Sequence, residues 1–233
     1  KTIYFVSTRS GSSQVWKLAV EGGEAEPVTR LPLDVDALEV APGGQSLVLS
    51  MAGFPGKSPD DTKQQLDAKQ KSKASGLLYD KLFVRHWDTW ADGTRNHLFV
   101  YDLASGKATD LMTALDADCP SKPFGGSEDF TVSSDGRTVV FSARDVGREE
   151  AWSTNFDLFV APAAGSAAPK KITTNPAWDA LPKFSPDGRT LAYLAMSRAG
   201  YEADRFKVVL RDWATGSEKT YDLRADVAPN GDR

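Results

Sequence analysis

The sequence predicts an all-β fold, a β-propeller built of four-stranded antiparallel blades. Three observations predict it: a turn phrase that recurs, a pair of hairpins in every unit, and a unit length of roughly fifty residues, the size of one blade. The phrase is clearest at Ser133-Ser134-Asp135-Gly136-Arg137-Thr138, followed by Val139-Val140-Phe141-Ser142. It returns as Ser185-Pro186-Asp187-Gly188-Arg189-Thr190 before Leu191-Ala192-Tyr193-Leu194, and in weaker form as Ala41-Pro42-Gly43-Gly44-Gln45-Ser46 before Leu47-Val48-Leu49-Ser50. A β-sandwich accounts for short strands but not for a recurring turn sequence.

Each phrase joins two β-rich runs through Asp-Gly or Gly-Gly, pairs that tolerate the positive φ of a tight hairpin. A second hairpin follows in each unit, turning at Glu21-Gly22-Gly23, Ala104-Ser105-Gly106, Ala164-Gly165 and Ala214-Thr215-Gly216. The strands before these turns run over Val15 to Val20, Leu98 to Leu103, Phe156 to Ala161 and Phe206 to Trp213. Residues 1–233 therefore read as a partial propeller of about four blades. The opening run Thr2 to Ser7 matches Thr138 to Ser142, so the chain is expected to start just past one such turn. Ala228-Pro229-Asn230-Gly231 resembles the next turn, so it is expected to stop at the equivalent point. Such a stack has open blade edges, which favour association between copies unless covered.

The second blade is interrupted at about 52–96. Ser58-Pro59-Asp60-Asp61 has the chemistry of a helix start, with Ser58 as N-cap, proline in the first turn and acids at the positive end. An exposed helix over Thr62 to Ala74 is expected to end near Gly76. The aromatic segment from Tyr79 to Trp90 is expected to dock back on the propeller, with His86 packed rather than reactive.

In a four-stranded meander successive turns alternate between the two ends of the blade. The short Asp-Gly and Ala-Thr-Gly turns thus share one face. The long second-to-third-strand loops and the blade-to-blade connections share the other, where binding is expected. Acids and aromatics concentrate there. Glu149, Glu150 and Trp152 lie in one loop, and Tyr201, Glu202, Asp204 and Arg205 lie in the equivalent loop of the next blade. These seven are the candidate substrate-binding residues. In the plainer alternative Asp204 pairs with Arg205 and the other acids are solvated.

Composition narrows the function classes. The net charge of −4 offers no field for nucleic acid or anionic lipid. No apolar run is long enough to cross a bilayer. A single cysteine, Cys119, precludes an internal disulfide and a cysteine-based metal cluster. There is no G-x-S-x-G elbow, no zinc-protease pattern and no Gly-rich phosphate loop, and the only histidines are His86 and His97. No catalytic residue, metal site or cofactor is therefore expected in this chain.

The loop phrases carry a resemblance. Lys122-Pro123-Phe124-Gly125-Gly126, Ser153 to Leu158, Met196 to Arg205 and Leu82 to Trp90, in their places along the chain, resemble the propeller of the dipeptidyl-peptidase 5 branch of the prolyl oligopeptidase family. The resemblance implies a seven-bladed propeller capping an α/β-hydrolase domain that holds the serine, aspartate and histidine, all absent from this chain. It implies a non-catalytic role, gating peptide substrates and fixing their N-termini, in a periplasmic or secreted enzyme that releases dipeptides. Neighbouring branches release acylated amino acids instead. A protein-binding periplasmic scaffold, or a propeller enzyme such as a lactonase or glycosidase, are the readings of other classes.

Overall fold

The computed structural model describes residues 1–222. The chain forms an all-β domain of one three-stranded and three four-stranded antiparallel sheets, with a helical insertion and a small extra hairpin. The first sheet holds β1 (Thr2–Ser7), β2 (Gln14–Ala19) and β3 (Glu26–Pro27). The second holds β4 (Ala37–Val40) and β5 (Ser46–Gly53); after the insertion it resumes with β8 (Arg95–Asp102) and β9 (Ala108–Asp110). Within the insertion lie helix α1 (Pro59–Lys71) and the hairpin of β6 (Arg85–His86) and β7 (Thr89–Trp90). The third sheet is β10 (Phe130–Val132), β11 (Thr138–Ala143), β12 (Asp157–Pro162) and β13 (Lys170–Lys171). The fourth is β14 (Asp179–Phe184), β15 (Thr190–Ala195), β16 (Lys207–Asp212) and β17 (Glu218–Tyr221). Every sheet is a meander in chain order. The turn expected at Ala228 to Gly231 lies outside the described residues.

Apolar layers between successive sheets hold the stack together. Leu47, Leu49 and Met51 face β2 with Val15, while Val48 faces β10 and β11 with Phe130, Val139 and Phe141. Val140 and Leu158 then meet Leu191, Tyr193 and Val209 of the fourth sheet. Both faces of β5 and β11 are thereby buried, which explains why these strands read as nearly unbroken apolar runs rather than alternating ones. Side chains tie neighbouring sheets across the seams. Tyr101 donates to the Val28 carbonyl, Ser142 to the Asp179 carbonyl, and the Val132 amide to Glu39.

The recurring turn has one geometry in both strong copies. The Gly136 amide donates to the Ser133 carbonyl and Gly188 to Ser185, each at 2.8 Å. Only the glycines take positive φ, +72° and +70°, the left-handed region that penalises any Cβ. The aspartates contribute through their side chains instead. Asp135 accepts from the Ser133 hydroxyl at 2.6 Å and the Arg137 amide at 3.0 Å, and Asp187 accepts from Ser185 and Arg189 at 2.6 and 3.1 Å. These bonds, the serine hydroxyl's first, hold both carboxyls below the usual range.

The insertion differs from expectation at its edges. β5 and β8 stay paired out to Gly53 and Arg95, so the excursion spans 54–94. Ser58 caps α1 by accepting from the Asp61 amide, but the helix stops at Lys71 with Ser72 as C-cap, short of Gly76. Beyond Thr62, which is buried and binds the Phe54 amide, the helix has little apolar surface to hold its last turn down.

Candidate functional site

Strand order puts the two sets of connections at opposite ends of the sheets, and the insertion hairpin roofs the loop-rich end. Tyr79 stacks on Trp90 at 6.0 Å, and the ring of Trp87 meets that of Phe124 at 5.1 Å. His86 sits between Phe83 and Trp87, at 5.8 and 5.4 Å, as part of this aromatic cluster. His97 is elsewhere, buried in β8 with its Nδ1 3.0 Å from Asp110.

Beneath the hairpin is a cavity of about 450 Å³. Its floor is organised by Arg95, the first residue of β8. Nε of Arg95 donates to Asp116 at 2.9 Å, Nη1 to Asp118 at 2.9 Å and to Glu150 at 2.7 Å, and Nη2 to the second Glu150 oxygen at 2.7 Å. Lys81 also binds Asp116 at 2.6 Å, and Lys122 binds Asp118 at 3.2 Å. Burial alone would lower the basicity of Arg95, but the hydrogen bond to Glu150 and the charges around it reverse the sign and hold the guanidinium protonated. Lys81 and Arg95 likewise overcome burial at Asp116 and keep its carboxyl below the usual range.

Arg144, at the end of β11, forms the opposite wall. Its Nη1 donates to the Ser153 carbonyl at 2.9 Å, and its guanidinium lies 5.1 Å from the centre of Phe156 and 5.9 Å from that of Phe83. Its Nε is buried and has no partner among the described residues. Burial lowers its basicity, with Glu150 and Asp118 partly offsetting the effect.

The structure brings the two predicted loops together, since the Gly200 amide donates to Thr154 Oγ1 at 3.0 Å. The predicted residues within them behave differently. Glu150 is buried and fully engaged by Arg95. Asp204 does not pair with Arg205. It accepts from the amides of Ser197 and Arg198 at 2.8 and 2.9 Å and from Arg198 Nε at 3.3 Å, and the Ser197 amide first of all holds it down to about 2. Arg205 pairs with Asp222 at 2.6 Å. The Arg198 guanidinium covers Tyr201 at 3.9 Å. Trp152 is exposed, and Glu149 presents its carbonyl to the amides of Trp152 and Ser153. Glu149 and Glu202 are exposed, and neither carboxylate forms an ion pair among the described residues. The charge of Glu202 acts on Arg144 more weakly than those of Glu150 and Asp118.

Sequence reasoning missed Arg95, Asp116, Asp118 and Arg144. Asp116 and Asp118 lie in an irregular loop, so no periodicity in the sequence marked them as partners of Arg95. Among the described residues, no group of three or more His, Cys, Asp or Glu side chains is arranged to hold a metal ion.

The chain matches no protein-family model. It is 29% identical to dipeptidyl-peptidase 5 of Porphyromonas gingivalis over 235 aligned positions, covering 97% of the chain and 34% of that relative. It is 33% identical to dipeptidyl-peptidase 5 of Trichophyton equinum over 201 positions, covering 77% of the chain and 27% of the relative. The chain thus spans about a third or less of the length of these curated relatives. Among solved structures, an acylaminoacyl peptidase in complex with Z-Gly-Gly-Phe-chloromethyl ketone superposes with a TM-score of 0.60 at 13% identity, over 97% of this chain and 31% of its own; at that identity the likeness carries the fold alone. The superposition shows a propeller-like fold, and the curated relatives relate the domain to the prolyl-oligopeptidase superfamily of serine peptidases.

Proposed function

We propose that this chain is the non-catalytic part of a propeller, about seven blades in all, in a serine exopeptidase that releases dipeptides from peptide N-termini. The observation that carries this reading is the match to dipeptidyl-peptidase 5 over 97% of the chain. The loop-rich end faces an α/β-hydrolase domain that supplies the nucleophile, and peptides are presented between the two. The substrate ammonium needs acceptors to replace its water. Glu202, with Glu149, is the carboxylate to supply them, because both are exposed while Glu150 and Asp204 are already committed. A periplasmic or secreted location belongs to the same reading, as does association of copies through exposed sheet edges.

Reading the gene onward past the codon for Arg233 tests the proposal. A G-x-S-x-G segment on a strand-turn-helix, followed by an aspartate and a histidine, is expected. A stop codon within a few tens of residues, with no such segment encoded, would overturn it.

A further inference from the structure

The cavity under the hairpin has a charge inventory that points to a ligand of the opposite sign to a peptide amine. Its floor acids are satisfied. Arg95 alone supplies bonds to Asp116, Asp118 and both oxygens of Glu150, and Lys81 and Lys122 add one contact each. An ammonium at the floor would find its carboxylates already paired; the other acids of the lining, Asp88 and Asp92, lie on the hairpin side, where Asp92 accepts from Thr94.

Arg144 is in the contrary position. A guanidinium carries five N–H donors in a planar fork. The one hydrogen bond recorded for Arg144 among the described residues is from Nη1 to the Ser153 carbonyl, and no carboxylate pairs with it. Its Nε is buried and unpartnered, and Phe83 and Phe156 lie over it in place of water. A buried cation without acceptors is costly, and a ligand bringing them relieves that cost. The acids that act most on Arg144, Glu150 and Asp118, belong to Arg95. The fork of Arg144 matches the planar geometry of one carboxylate, and Arg85, a second cation on the lining, lies over the Trp90 ring at 5.4 Å. The roof brings Phe83, His86, Trp87 and Trp90 to the lining, with the polar Arg85, Asp88 and Asp92 among them.

We propose that this cavity is a binding site for a carboxylate carried on an apolar or aromatic body, with Arg144 holding the carboxylate and the insertion hairpin covering the body. The carboxylate comes either from an acidic peptide side chain or from a free organic acid. The proposal does not depend on the peptidase reading.

Calorimetric titration of the intact protein tests it with four probes: 3-phenylpropionate, its amide 3-phenylpropionamide, phenethylammonium, and the blocked peptide acetyl-Phe-Glu-amide. The neutral amide should bind at least about tenfold more weakly than the acid, the increment of one charge-assisted hydrogen bond. Phenethylammonium should not bind. Binding of both the acid and the peptide supports the site for either source; binding of only one supports it and identifies the source. Arg144→Met should abolish acid binding, and Arg144→Lys, which keeps the charge without the fork, should weaken it by about tenfold if the methionine variant fails to fold. Equal binding of acid and amide, preferential binding of the ammonium, full affinity in either folded Arg144 variant, or no binding by any probe would each overturn the proposal.

Discussion

The two ends of the sheets are built on opposite plans. At the turn end, two copies of one phrase make the same bonds residue for residue: serine hydroxyl to aspartate, arginine amide to aspartate, glycine amide to serine carbonyl. Every partner lies within five positions in the chain. At the loop end no two connections are alike, and the decisive contacts are distant. Arg95 reaches Glu150 across 55 positions, and Gly200 reaches Thr154 across 46. The turn end closes hairpins locally, so each copy can be altered with a local cost. The loop end is a single network, so removing one member strands the others.

That contrast is broken or sharpened most forcefully at Arg95. Arg95→Met leaves Glu150 and Asp118 buried with their principal cation gone. Loss of one partner of a buried ion pair costs about 3 kcal/mol or more, which chemical denaturation will register. A change below about 0.5 kcal/mol would show the floor to be an ordinary solvated network, for which such values are typical.

The next test compares two glycines required for different reasons. A Cβ on Gly125, at the loop end, would stand 2.3 Å from Asp129 Oδ2 and 2.4 and 2.6 Å from the backbone N and O of Ser121. A Cβ on Gly188 would meet the Ser134 hydroxyl at 2.1 Å, which can rotate away, and the lasting cost there is the positive φ. Gly125→Ala should therefore cost about 2 kcal/mol or more through overpacking, and Gly188→Ala about 1 kcal/mol through backbone strain. The reverse order in thermal melts would mean that backbone conformation, not close approach, limits the loop end.

A subtler effect is expected at Asp179, which opens β14 and is fully buried. Asn175 donates to its Oδ1 at 2.8 Å, while Oδ2 has no partner. Burial above all, with Asp157 nearby, pushes its carboxyl up to about 6. The ordinary value is about 3.9, so the folded state holds this proton more tightly than the unfolded chain does. Stability should then fall as pH rises from about 4 through 6. Asp179→Asn removes the charge and should stabilise the protein at pH 8, on the order of 1 kcal/mol, with the gain vanishing near pH 4. A gain that is the same at both pH values would exclude this ionisation as the cause.

The legibility of the molecule in its sequence follows the same division. Meander order, turn positions and the capping of α1 by Ser58 were readable because each rests on neighbours in the chain. The alternation of short turns and long loops even identified the chemically rich end. Which acids there remain uncommitted was not readable. Glu149 and Glu150 are adjacent, yet one is exposed and the other buried against an arginine 55 positions away. Asp204 precedes Arg205, yet it folds back on Ser197 and Arg198 while Arg205 turns to Asp222. The helix end was missed for a related reason, since α1 has few tertiary contacts to extend it.

The central proposal is that the loop-rich end reads the free amine of a peptide through Glu202. The most direct measurement is kcat/KM of the full-length protein and its Glu202→Gln variant on a free dipeptidyl-naphthylamide and its N-acetylated counterpart. The account predicts a loss of at least about tenfold on the free-amine substrate, the increment of a charge-assisted contact, with little change on the blocked one and an unaltered melting temperature. Equal losses on both substrates, or none on either, would contradict it.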